Sequence, residues 1–113
     1  MKHLLIHAHG NTAELLAAAL RSARNTSAAL GPDAEIHVVA QGPLVRFLIG
    51  GSPLSADVAE TLENANIHAH ACENSMNGAG VTTTELLQKV RTVPSAVAYL
   101  AERQWDGWAY VTI

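Results

Sequence analysis

Short apolar, β-branched runs alternate with stretches of helical periodicity along the whole of this 113-residue chain, and that alternation is the strongest constraint on its fold. Lys2-His3-Leu4-Leu5-Ile6-His7 suits a strand covered on both faces. Asn11, with Glu14 three residues on, reads as the start of a helix whose apolar positions are Leu16, Leu20, Ala23, Ser27 and Leu30; Gly31-Pro32 ends it. Residues 35–40 form a second strand, stopped by Gln41-Gly42-Pro43, and residues 44–49 a short helix opened by that proline. A further helix runs over residues 55–65, with Asn66 in the left-handed terminating position. Residues 67–71 make the third strand, followed by a polar, glycine-rich loop from Cys72 to Gly80 in which Gly78-Ala79-Gly80 is a flexible turn. Thr82 and Glu85 form a capping box for a short helix over residues 83–88. Strand 90–93, a helix opened by Pro94-Ser95, and strand 108–111 complete the chain. Strands and helices interleaved at this spacing predict a three-layer α/β/α fold with a mostly parallel five-stranded sheet, one domain over residues 1–113.

Charge and composition exclude several classes of function. A net charge of −3 with seven scattered Lys and Arg offers no basic strip for a phosphate backbone, so no nucleic acid is expected. His, Gln, Arg or Asn interrupts every apolar run before the ~18 residues a membrane-spanning helix needs. The single cysteine cannot close an internal disulfide and no leader is recognisable, which points to the cytoplasm. No motif calls for a cofactor: Gly78-Ala79-Gly80 lacks the lysine and the strand-turn-helix frame of a phosphate loop. Twenty alanines against five aromatic residues give helices that bury little area each, a composition that favours a homo-oligomer.

In an open parallel sheet, ligands bind beyond the carboxyl ends of the strands. The expected fold delivers His7 and His9 there from the first strand, Gln41 and Gly42 from the second, Cys72, Glu73 and Asn74 from the third, and Ser95 from the fourth. Cys72 is the strong nucleophile of this set. Its reactivity depends on surroundings that hold the thiolate: Glu73 opposes ionisation, whereas a protonated histidine or a helix N-terminus favours it. A small buried hydrophobe is the plain alternative. His68, His70 and Cys72 alternate on one strand and share a face, so a metal is conceivable, but no carboxylate or second cysteine stands at ligand spacing, and no metal is expected. Ser75 and Ser95 are better explained as caps than as nucleophiles. Trp105, Trp108 and Tyr110 are assigned to packing or a subunit contact.

Four segments, Val38-Val39-Ala40-Gln41-Gly42-Pro43, Ala71-Cys72-Glu73-Asn74-Ser75-Met76, Val93-Pro94-Ser95-Ala96-Val97 and Gly107-Trp108-Ala109-Tyr110-Val111, resemble in content and order the DsrE/DsrF-like proteins. Gln88-Lys89-Val90 and Ala96 depart from a Pro-Gly-Val turn and a glycine common among them. The resemblance implies a trimer or hexamer and a role in sulfur relay, in which a cysteine accepts sulfane sulfur as a persulfide and passes it between donor and acceptor proteins. It places Cys72 at the persulfide position, as carrier or sulfurtransferase. Asn74 and nearby N–H groups would hold the anion, and His7 or His9 would move protons. Two readings of other classes stand beside it: a non-enzymatic oligomer holding a small ligand or metal, and a structural subunit of a related complex.

Overall fold

The computed structural model describes residues 2–113. Five strands, β1 (Lys2–His9), β2 (Ala34–Gln41), β3 (Ile67–Cys72), β4 (Arg91–Val93) and β5 (Ala109–Thr112), form one sheet in the order β4-β3-β2-β1-β5. All four pairings are parallel, with Leu4 opposite Ile36, Val38 opposite Ala69 and Cys72 opposite Val93. The α-helices are α1 (Ala13–Leu30), α2 (Ser55–Thr61), α3 (Glu73–Ala79) and α4 (Ala96–Trp105), and Gly42–Leu48 and Thr83–Glu85 are 3-10 turns.

Alternation along the strands sorts the side chains into two unlike faces. Ile6, Ala8, Ile36, Val38, Ala40, Ile67, Ala69 and Ala71 face the main core, filled by Leu16 and Leu20 of α1, Leu44, Val45 and Leu48, Val58 of α2 and Met76 of α3. Each fully buried leucine there stabilises the fold by roughly 1.5–3 kcal/mol. The opposite face carries Leu5, Val39 and Cys72 under Ala96 and Leu100 of α4, with Tyr99 and Trp108 at the margin. A ten-residue helix covers this second face, and the strand positions it leaves uncovered are largely histidine.

Several local expectations are corrected. Thr12, not Asn11, caps α1 by accepting the Leu15 N–H, because the Asn11 side chain and carbonyl are both taken by Arg46. Leu30, expected on the buried face, is exposed. The short helix expected over residues 44–49 is a 3-10 turn that runs from Gly42 to Leu48, and Ile49 leaves it in an extended conformation. The second helix ends at Thr61, and Asn64 turns inward to donate to Ser27 Oγ at 2.9 Å. Asn66 is not left-handed; among the described residues Lys89, at φ 75°, is the non-glycine that is. The helix expected over residues 83–88 is a single turn, although its Thr82/Glu85 capping box forms. The polar segment after Cys72 is α3 rather than a loop, and Gly80, at φ 71°, ends it in the left-handed conformation.

Candidate functional site

β3 feeds α3, which packs on the main-core side, whereas β4, its neighbour in the sheet, feeds α4 on the opposite side. Where successive connections part to opposite faces, the carboxyl ends of the strands open a crevice. Cys72, the last residue of β3 and the residue preceding α3, stands at that parting. Its Sγ accepts the Ala96 N–H of α4 at 3.4 Å. Burial pushes the thiol pKa up, but hydrogen bonding from the Ser75 hydroxyl and from the N–H groups of Ser75, Ala96 and Asn74 outweighs it, and the group lies below its ordinary value. Cys72 is 3% exposed, so the anion is favoured by fixed donors rather than by water.

Ser75 links this thiol to a second feature. Its Oγ accepts the Gly42 N–H at 2.7 Å, and it lines a cleft of about 510 Å³ with Gly42, Pro43, Arg46, Gly78 and Asn11. Gly42 holds φ 74°, and a Cβ there would approach the His9 ring at 3.4 Å. Glycine thus lets the chain turn from β2 into the 3-10 segment while keeping its N–H on Ser75.

The remaining candidates divide between two places. Ser95 caps α4 by accepting the Ala98 N–H at 3.2 Å, which holds the helix end whose Ala96 N–H meets the sulfur. Glu73 opens α3, half-buried, in a depression with Met76, Asn77 and Thr82; the Asn74 side chain is exposed. His7 and Gln41 form a separate group: His7 Nε2 lies 2.8 Å from Gln41 Oε1, and His7 Nδ1 2.8 Å from the Tyr110 hydroxyl. An amide oxygen only accepts, so Nε2 carries the proton and Nδ1 accepts from Tyr110. His9 is exposed at the strand end, with its ring centroid 6.1 Å from that of His7. The metal-capable set considered from sequence, His68, His70 and Cys72, is also regrouped: His70 Nε2 meets His37 Nδ1 at 3.0 Å, and the ligand atoms that converge belong to Glu35, His37 and His68.

Ser75 and Ala96, the latter through its backbone alone, act on the sulfur without being among the candidates the sequence offers for that role. The spacing of Ser75, three residues after Cys72, was the available signal, since an N-cap position meets the amides two and three residues ahead.

A parallel α/β sheet with one thiol at the parting of its connections defines the class. The chain belongs to the DsrE/DsrF-like family, whose family model matches residues 3–113. Among solved structures it is similar to MTH1491 from Methanobacterium thermoautotrophicum, described as a protein of unknown function, with 28% identity, a TM-score of 0.90 and 100% of both chains covered. It also resembles ychN from E. coli, with 21% identity, a TM-score of 0.80 and both chains covered in full. BT1422 from Bacteroides thetaiotaomicron, likewise of unknown function, shares 20% identity at a TM-score of 0.65, over 99% of this chain and 95% of that one. No curated protein matches.

Proposed function

We propose that the protein is a cytoplasmic sulfur-relay protein that carries sulfane sulfur as a persulfide on Cys72. The observation that carries this reading is the Ala96 N–H of α4 hydrogen-bonded to Sγ at 3.4 Å, at a cysteine that immediately precedes α3; burial raises the thiol pKa, but hydrogen bonding at this junction holds it below its ordinary value. In loading, the Cys72 thiolate attacks the outer sulfur of a donor persulfide. The new S–S bond forms as the donor's S–S bond breaks, and the bonding pair leaves with the donor thiolate. No net oxidation occurs. The amides of Asn74, Ser75 and Ala96 then stabilise negative charge on the transferred sulfur. With no second cysteine in the sequence, release by an internal disulfide is closed, and discharge requires an acceptor thiolate from another molecule. Burial of Cys72 means that the first turn of α3 or α4 opens when donor and acceptor dock; between encounters, the cover protects the persulfide. Family membership and the half-covered second face favour a homo-oligomer, a trimer or hexamer, as the working unit.

Incubating the purified protein with a sulfane-sulfur donor and mapping adducts by mass spectrometry tests the reading. One added sulfur on Cys72, removed by a thiol reductant and absent from Cys72→Ser, is expected. Absence of the adduct, combined with alkylation no faster at neutral pH than that of a free cysteine, overturns it.

A further inference from the structure

We propose that Glu35, His37 and His68 form a binding site for one divalent first-row transition-metal ion of the zinc type, on the α4-covered face towards the amino ends of the strands. The site is independent of the sulfur-relay reading.

Glu35 and His37 alternate on β2 and therefore share a face, and the parallel register sets His37 opposite His68 on β3. Glu35 Oε1 lies 3.4 Å from His37 Nε2 and 3.2 Å from His68 Nε2, and the three ligand atoms all fall within 4.8 Å of one another. Ligands about 2.0–2.1 Å from a tetrahedral zinc stand roughly 3.3–3.4 Å apart, so two edges of the triangle already have that length and only the third must close.

The second observation is an orphaned atom. His37 is 7% exposed, and its Nε2 is buried without a hydrogen-bond partner among the described residues. The other ring nitrogen, Nδ1, is engaged: it meets the Tyr99 hydroxyl at 2.6 Å and His70 Nε2 at 3.0 Å. With Nδ1 taken up by these neighbours, Nε2 is the ring nitrogen left facing the Glu35 carboxylate, 3.4 Å away. Leaving a buried polar atom unpaired is costly, and a cation between the two groups offsets that cost. The Nδ1 contacts also hold the ring in the orientation that presents Nε2 to Glu35.

The surroundings select the kind of ion. His3 Nε2 stands 3.4 Å from Glu35 Oε2, beyond the proposed ligand triangle, and its ring stacks on Trp108 at 4.4 Å. Arg91 on β4 brings positive charge to bear on His37 and His70, and Arg103 of α4 does so on His70. One carboxylate against this field does not hold a hard cation that relies on several charged oxygens. Two imidazoles and a carboxylate suit an ion bound chiefly through nitrogen, with a coordination position left open.

The test uses full-length protein without a histidine tag, stripped with a chelator and titrated with Zn2+ by calorimetry and with Co2+ by visible absorption. The expected result is one ion per chain at micromolar affinity, with Co2+ bands of low coordination number. Glu35→Gln and His68→Ala, both at partly exposed positions, each weaken binding about tenfold or more; His9→Ala and Cys72→Ser leave it unchanged. Circular dichroism confirms that each variant is folded. No stoichiometric ion on the folded wild-type chain, or binding that survives both Glu35→Gln and His68→Ala, overturns the site.

Discussion

Ser75 accepts the Gly42 N–H through Oγ and is left with one proton to give, which hydrogen bonding directs to Cys72. Ser75→Ala removes that donor while the backbone N–H groups remain. The alkylation midpoint of Cys72 should therefore rise, with slower reaction at neutral pH; an unchanged pH-rate profile would assign the whole effect to the amides. The shift also has a stability consequence with a definite sign. Because the folded thiol titrates below its ordinary value of 9.0, the thiolate's contribution is fully present above that value and is lost as pH falls through the folded pKa. The Tm difference between wild type and Cys72→Ser should widen as pH rises towards 9, which thermal melts at several pH values check. At this scale the sequence was informative only in part. A lone cysteine at a strand end was legible as a candidate. That an amide more than twenty residues downstream reaches its sulfur depends on a tertiary meeting. Glu35 and His37 escaped notice for a similar reason: Glu-x-His on one strand becomes a ligand pair only when the register with His68 is known.

Among the elements, those with strong periodicity and clear punctuation were legible, and those held by packing were not. The α1 face of Leu16, Leu20, Ala23 and Ser27 is buried as its spacing predicts, and Ser95 caps α4. The residues of α3 predict a loop, because Asn74, Ser75, Asn77 and Gly78 all have poor intrinsic helix preference. It is helical because Met76 is buried in the main core, Gly80 supplies a left-handed end and Ser75 takes the Gly42 N–H. Tertiary contacts outweigh local preference there. α4 offers the sharper test, since its cap is one side chain and its first N–H reaches the sulfur. Ser95→Ala should destabilise the protein by about 1 kcal/mol, whereas Ser95→Asp, an equally good cap, should not. Urea unfolding monitored by circular dichroism measures both, and equal losses in the two variants would place the role of Ser95 elsewhere.

For the whole molecule, the alternation of strands and helices was enough to predict the parallel sheet, but not the strand order that puts β5 beside β1 and sends the last crossover alone to the second face. That topology leaves the two faces unequally covered. On the thinner side, Trp105 is 81% exposed and Val97 63%, both on α4, while Tyr110, in register with Leu5, is exposed on the edge strand β5. A tryptophan and a valine held in water forgo roughly 1.5–3 kcal/mol or more apiece that burial would return, which is the stabilisation a second copy of the chain would supply if it covered this surface. Light scattering coupled to size exclusion should accordingly give a multiple of the 11.9 kDa chain mass, three or six chains, at micromolar concentration. The double variant Val97→Glu, Trp105→Ser should run as the single chain while keeping its helix content, because neither side chain belongs to the buried core. A wild-type protein already monomeric at that concentration would show that this surface does not self-associate and leave α4 a simple cover over Cys72; a variant that stays assembled would move the interface to another face.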